Sequence, residues 1–211
     1  MDSEPTAGEH WQGVYQSKEA SRVSWYRPHL DVSLRLLDAA GLKPNSRLID
    51  VGGGASTLVD DLLARGVEHL TVLDLAPESL ETAKRRVGKR ATQVEWLAGD
   101  VTRMNLPAAA YDFWHDRAVL HFLTEQLQVA AYAEVAAQSV CAGGIAVIAG
   151  FAPDGPERCS GLPVARRSAN DIAACLGSGF ELIGADAEQH RSPGGSMQSF
   201  AYAVLRRRIG E

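Results

Sequence analysis

The chain has 211 residues, 45% of them hydrophobic and 22% charged, with a formal net charge of −5; this is ordinary globular usage, and it excludes a disordered chain or a basic field for a phosphate backbone. Apolar runs fall well short of the roughly 20 residues of a membrane span, and the first twenty residues hold no apolar signal core, so a soluble cytoplasmic protein is expected, without nucleic-acid or membrane partners. Three cysteines, Cys141, Cys159 and Cys175, show no paired Cys-x-x-Cys spacing, which argues against a disulfide framework and against a metal site.

In chain order, residues 1–9 are polar and read as frayed. Aromatics cluster next, with Trp11, Tyr15, Trp25 and Tyr26 ahead of the first regular helix. That helix spans 30–40, carries Leu30, Leu34 and Leu37 at helical spacing, and stops at Gly41. Strand one covers 47–51, and the helix after it places Leu58, Val59, Leu62 and Leu63 on one face. Strand two covers 69–75, and Pro77 opens a helix bearing Leu80, Ala83 and Val87. Strand three covers 93–97, strand four 111–116, a helix 125–140 and strand five 144–151. Residues 152–167, rich in glycine and proline, read as a lid-like loop with Cys159 exposed in it. Cys141 and Cys175 read as core. A helix over 168–176 and strands at 180–185 and 199–206 close the chain, the last two joined as an antiparallel hairpin. Alternating strands and helices define an α/β protein with a doubly wound, mostly parallel sheet.

The densest signal is Asp50-Val51-Gly52-Gly53-Gly54-Ala55-Ser56, an apolar strand running into a glycine turn. Asp74 ends the next strand, 20 residues beyond Gly54, where a carboxylate accepts the hydroxyls of a ribose. A dinucleotide fingerprint has an apolar residue two before its first glycine and a third glycine later; here those places hold Asp50 and Thr57. The pattern instead resembles motif I of the class I S-adenosylmethionine (SAM) methyltransferases. That resemblance implies a seven-stranded Rossmann-like sheet with a C-terminal antiparallel hairpin, SAM as cofactor and S-adenosylhomocysteine as product. It further implies that Gly52 and Gly54 lie against the methionine part, that Asp74 takes the ribose, that Leu75 covers the adenine, and that Asp100 with Val101 reads its edge. The segment Phe113-Trp114-His115-Asp116-Arg117 and the pairs His10-Trp11 and Trp25-Tyr26 resemble a subgroup that includes elongation-factor-1A lysine methyltransferases. Ala118-Val119 departs from that subgroup, which carries Gly-Thr there.

On this reading residues 1–211 form one domain, with an aromatic cap at 10–40, a cofactor-binding core at 41–151, and a lid loop and hairpin at 152–211. Asp50 serves the cofactor, and Trp11, Trp25 and Tyr26 roof the sulfonium by cation–π contact, the alternative being that they anchor the N-terminal helix on the sheet. Asp116 is expected at the rim beside both cofactor and acceptor, as the residue nearest the transferring methyl; its alternative is a structural partner for Arg117. His121 is a candidate base, or else a histidine that packs a helix. His115, alternating with Asp116, is expected to face a covering helix. The expected activity is methyl transfer to a small-molecule acceptor. Alternatives are a protein lysine N-methyltransferase and a SAM-binding protein without turnover. The sequence leaves monomer and homodimer equally open.

Overall fold

The computed structural model describes residues 6–17 and 20–209. Helix α1 (Ala7–Ser17) and helix α2 (Asp31–Ala39) precede strand β1 (Arg47–Val51). Then α3 (Leu58–Ala64), β2 (His69–Asp74), α4 (Pro77–Val87), β3 (Val94–Ala98) and β4 (Tyr111–Arg117) alternate along the chain. Helix α5 (Gln126–Ser139) passes directly into β5 (Val140–Phe151), and the short strands β6 (Arg158–Cys159) and β7 (Leu162–Pro163) follow. Helix α6 (Ala169–Leu176) leads to β8 (Phe180–Arg191) and β9 (Met197–Arg207).

The main sheet has the order β3-β2-β1-β4-β5-β9-β8. Its first five strands are parallel, and β9 runs antiparallel to both β5 and β8. Side-chain alternation divides the interior in two. Leu48 of β1, Phe113 of β4, Val147 of β5 and Val204 of β9 pack with α2, α3 and α4 on one face. Ile49, Trp114, Ile148 and Leu205 point the other way, against α5 and α6. Burial on both faces is why the central strands read as nearly continuous apolar runs. The helix starts follow from local chemistry: Pro77 occupies the first turn of α4, and Ser168 with Asp171 forms a reciprocal capping box on α6.

Four expectations need correction. Residues 7–17 form a helix in place of the expected aromatic segment without regular structure; residues 1–5 lie outside the described part. Strand β5 begins at Val140 instead of 144, because residues 141–144 bulge out of register between the pairs Tyr111–Val140 and Phe113–Ile145. The closing hairpin is far longer than expected, with only residues 192–196 between its strands. The added length is polar: Glu188 and His190 point inward yet are buried. Finally, the loop over 152–167 contains a small hairpin, β6 against β7. Its two-residue turn is Ser160-Gly161, with φ +49° and +83°, the primed geometry that suits a tight hairpin.

Among the described residues no helix is long and apolar enough to cross a membrane, and no cluster of His, Cys, Asp or Glu has the arrangement of a metal site.

Candidate active site

The sheet order reverses between β1 and β4, and in an open α/β sheet ligands bind outside the strand C-termini at such a point. Here a cavity of about 390 Å³ opens. Its floor is the glycine turn. Gly52 has φ +68°, and a side chain on it would collide with Val119 beyond β4; its N–H donates to Leu73 O at 2.7 Å. A side chain at Gly54 would strike Asp74 and Ser79. Gly54 does not line the cavity; it lets the turn close onto Asp74, which does.

Asp74 is buried at the end of β2 and accepts a hydrogen bond from Ala76 N at 2.8 Å. Burial pushes its carboxyl up to about 6, against the hydrogen bonds from Ala76, Ser79 and Gly54. Asp100 follows β3; its Oδ1 accepts from Thr102 N at 2.9 Å and Thr102 Oγ1 at 2.7 Å, which starts a short turn. Leu75 and Val101 supply apolar wall on either side of these carboxylates, and Asp50 lies in the wall beside the turn.

The roof comes from distant segments. Trp11 and Tyr15 of α1 meet Trp25 edge-on, with ring centroids 5.6 and 6.2 Å away, and Trp11 meets Phe122 at 4.9 Å. Trp25 and Tyr26 also line the cavity, and Leu162 and Pro163 close it from the β6–β7 hairpin. Burial and the nearby Asp74 push the Tyr15 phenol well above its usual range, so it remains a proton donor.

Two expected chemical residues stand elsewhere. Asp116 is fully buried and does not line the cavity. Alternation turns it toward α5, where it accepts from Tyr132 Oη at 2.7 Å and from the N–H groups of Val119 at 2.7 Å and Leu120 at 3.0 Å. Burial pushes its carboxyl up to about 6, with those hydrogen bonds opposing. It holds the chain turn after β4 and neither faces the cleft nor pairs with Arg117. His121 is likewise buried and outside the cavity. Its Nδ1 accepts from Phe151 N at 3.3 Å, and burial, with Arg117 and Arg167 adding to it, drives its pKa down to about 3. It is a packing residue, not a base. Cys159 is buried instead of exposed, lines the cavity, and has its thiol pushed up to about 11 by burial, so it carries no reactive thiolate.

His115 does face a covering helix: its Nε2 lies 2.9 Å from Ser33 Oγ of α2. Cys141 and Cys175 are only half-buried. Cys141 sits at the sheet's rim, where its Sγ donates to Ala109 O at 2.9 Å. Sequence reasoning passed over Phe122, Ala118, Val119 and Gly53 as cavity residues. The signal available for the first three was their place within five residues of the end of β4, next to the switch point.

The strand order, the glycine turn at the reversal and the two strand-end carboxylates match the class I SAM-dependent methyltransferase fold. A "Methyltransferase domain" family model matches residues 48–143 of the chain. It is 23% identical over 124 residues to the eEF1A lysine and N-terminal methyltransferase of Mus musculus, which covers 58% of this chain but 18% of that protein. The chain thus spans less than a fifth of this relative. A protein solved in work on the conversion of a disulfide bond into a thioacetal group during echinomycin biosynthesis superposes with TM-score 0.77 at 19% identity, over 98% of this chain and 94% of that one. The Burkholderia thailandensis 1,6-didemethyltoxoflavin-N1-methyltransferase, with 1,6-didemethyltoxoflavin and S-adenosylhomocysteine bound, superposes with TM-score 0.67 at 19% identity, over 99% of this chain and 94% of that one.

Proposed function

We propose that the protein transfers the methyl group of SAM to a small-molecule acceptor. The observation that carries this reading is the aromatic-lined cavity: Trp11, Tyr15, Trp25 and Phe122 above, Leu162 and Pro163 at the side, and the glycine turn below. Concave, largely apolar cavities of a few hundred Å³ with a few placed polar groups suit small ligands.

Bound SAM supplies a sulfonium methyl open to in-line attack. The chain's own residues bind and orient. In this reading Gly52 and Gly54 shape the turn beside the methionine part, Asp74 accepts from the ribose, Leu75 covers the adenine, and Asp100 with Val101 meets its edge. Trp25, with Trp11, shields the cationic sulfur and excludes water. Among the described residues no histidine lines the cavity, and Asp116 and His121 are turned away. Rate acceleration then rests on proximity and orientation, which supply on the order of 7–11 kcal/mol.

Similarity over nearly the whole chain to proteins of natural-product chemistry supports a small acceptor. A protein lysine is the second reading, supported by the sequence relatives. Incubation with deuterated-methyl SAM and cell extract, followed by mass spectrometry of the low-mass and protein fractions, separates them. A labelled metabolite is expected; label confined to lysine would replace the first reading by the second, and saturable binding without any label would leave a cofactor-binding protein.

A further inference from the structure

One buried polar chain runs from helix α2 to the cavity wall. Ser33 Oγ lies 2.9 Å from His115 Nε2, and His115 Nδ1 lies 2.7 Å from Asp50 Oδ1. All three residues are at least 97% buried. The arrangement that satisfies them has Nδ1–H donating to the carboxylate and the Ser33 hydroxyl donating to Nε2. Asp50 Oδ2, in contrast, has no hydrogen-bond partner among the described residues, although it belongs to a residue of the cavity wall. Any side chain on Gly53 would strike that oxygen, so the turn can lie close above it only because this position is glycine.

A buried carboxylate oxygen without a donor is costly, and such a group marks the place of a ligand donor. Within the SAM reading, on which this inference rests, the donor of matching charge is the α-ammonium of the methionine part. We propose that His115 is a positioning residue for the cofactor: through Ser33 and His115 the fold holds Asp50 by Oδ1 and presents Oδ2 to that ammonium. His115 touches neither cofactor nor acceptor. Its role is to stop the carboxylate from turning its free oxygen back into the sheet.

The test is calorimetric binding of S-adenosylhomocysteine and of 5′-methylthioadenosine, which lacks the amino acid portion. His115→Phe keeps the ring shape and removes both nitrogens; it should weaken S-adenosylhomocysteine about tenfold or more while leaving methylthioadenosine unchanged. His115→Asn, whose amide N–H falls near the Nδ1 position, should recover part of that loss. Ser33→Ala is the milder probe should the phenylalanine variant not fold, with an expected loss of about threefold, again confined to S-adenosylhomocysteine. Equal weakening of both ligands would reduce His115 to a structural role, and unchanged S-adenosylhomocysteine affinity in His115→Phe or Ser33→Ala would overturn the inference. Wild-type protein that binds neither ligand would remove the cofactor reading itself, and the relay with it.

Discussion

Arg117 at the end of β4 and Glu188 in the closing hairpin form a buried ion pair, with Nη2 to Oε2 at 3.2 Å and both side chains at most 7% exposed. The pair sits within a larger cluster. Arg117 Nε donates to Tyr202 Oη at 3.0 Å, Tyr202 donates to Glu188 Oε2 at 2.8 Å, and Arg27 reaches Glu188 Oε1 at 2.9 Å. The Phe200 ring lies 4.1 Å from the Arg117 guanidinium. Burial opposes ionisation of Glu188, yet Arg117, Tyr202 and Arg27 outweigh it and hold the carboxyl below its usual range.

Removing one partner leaves the other charge buried and unmatched. Glu188→Leu should therefore destabilise the protein by roughly 3–5 kcal/mol, read as a lower urea midpoint. Because the folded carboxyl titrates below the unfolded one, its contribution is present above the unfolded pKa and is lost as pH falls through the folded value. The wild type should lose this part of its stability in acid, and the variant should not.

His121 gives an acid sensitivity of another origin. Its imidazole is neutral in the fold and titrates near 3, whereas the unfolded chain takes up a proton near 6.5. The folded value is depressed, so the neutral ring's contribution is intact above 6.5 and is lost between there and about 3, at up to about 1.4 kcal/mol per pH unit. His121→Gln should flatten the stability profile in that window and retain methyl transfer within about threefold. A loss of a hundredfold or more in the folded variant would return His121 to the chemistry.

Asp116→Asn retains one acceptor oxygen but places an amide N–H against groups that donate. A cost of about 1–3 kcal/mol is expected, measured by thermal unfolding, with S-adenosylhomocysteine affinity little changed. Large loss of affinity at full stability would restore Asp116 to the cofactor site.

Ala118 has φ +86°, a conformation that suits glycine and strains alanine. Ala118→Gly should raise stability by up to about 1 kcal/mol, visible as a higher urea midpoint. A lower midpoint would show that the alanine methyl contributes more by packing than it costs in backbone strain.

Gly54→Ala tests the floor of the cleft. The new methyl would meet Asp74 and Ser79, so S-adenosylhomocysteine binding should weaken by more than tenfold in calorimetry, with a smaller effect from substitution at Gly41, where a side chain meets open space.

The five parallel strands were legible because burial on both faces writes them as apolar runs bounded by turn residues, as in Leu48 to Val51 and Leu70 to Leu73. The glycine turn and the carboxylate of Asp74 were legible because a nucleotide-type site needs fixed residue types at fixed spacing. Alternation placed His115 correctly on the face of a covering helix. The same alternation sends Asp116 to the opposite face under α5, and the cavity is lined instead by Arg117, Ala118 and Val119. Nothing local in the sequence says where a strand ends relative to a cleft. The hairpin's extent was hidden for a related reason: Glu188 and His190 fall in the stretch expected to connect the two strands, and their partners, Arg117 and Ser24, lie 71 and 166 residues away in sequence. Buried polar residues of this kind are recognisable only through a distant partner.

That separation bears on how the molecule assembles. His190 Nε2 donates to Ser24 O at 2.7 Å, and Arg117 donates to the Trp25 carbonyl at 3.3 Å, so the backbone beneath the aromatic roof is tied down by the final hairpin and by a guanidinium that this hairpin neutralises. Residues 24 and 25 thus gain their anchor only once segments 166 and 92 residues further along the chain are in place. Removal of β8 and β9 would spare every residue of the glycine motif and still leave the cleft without a cover.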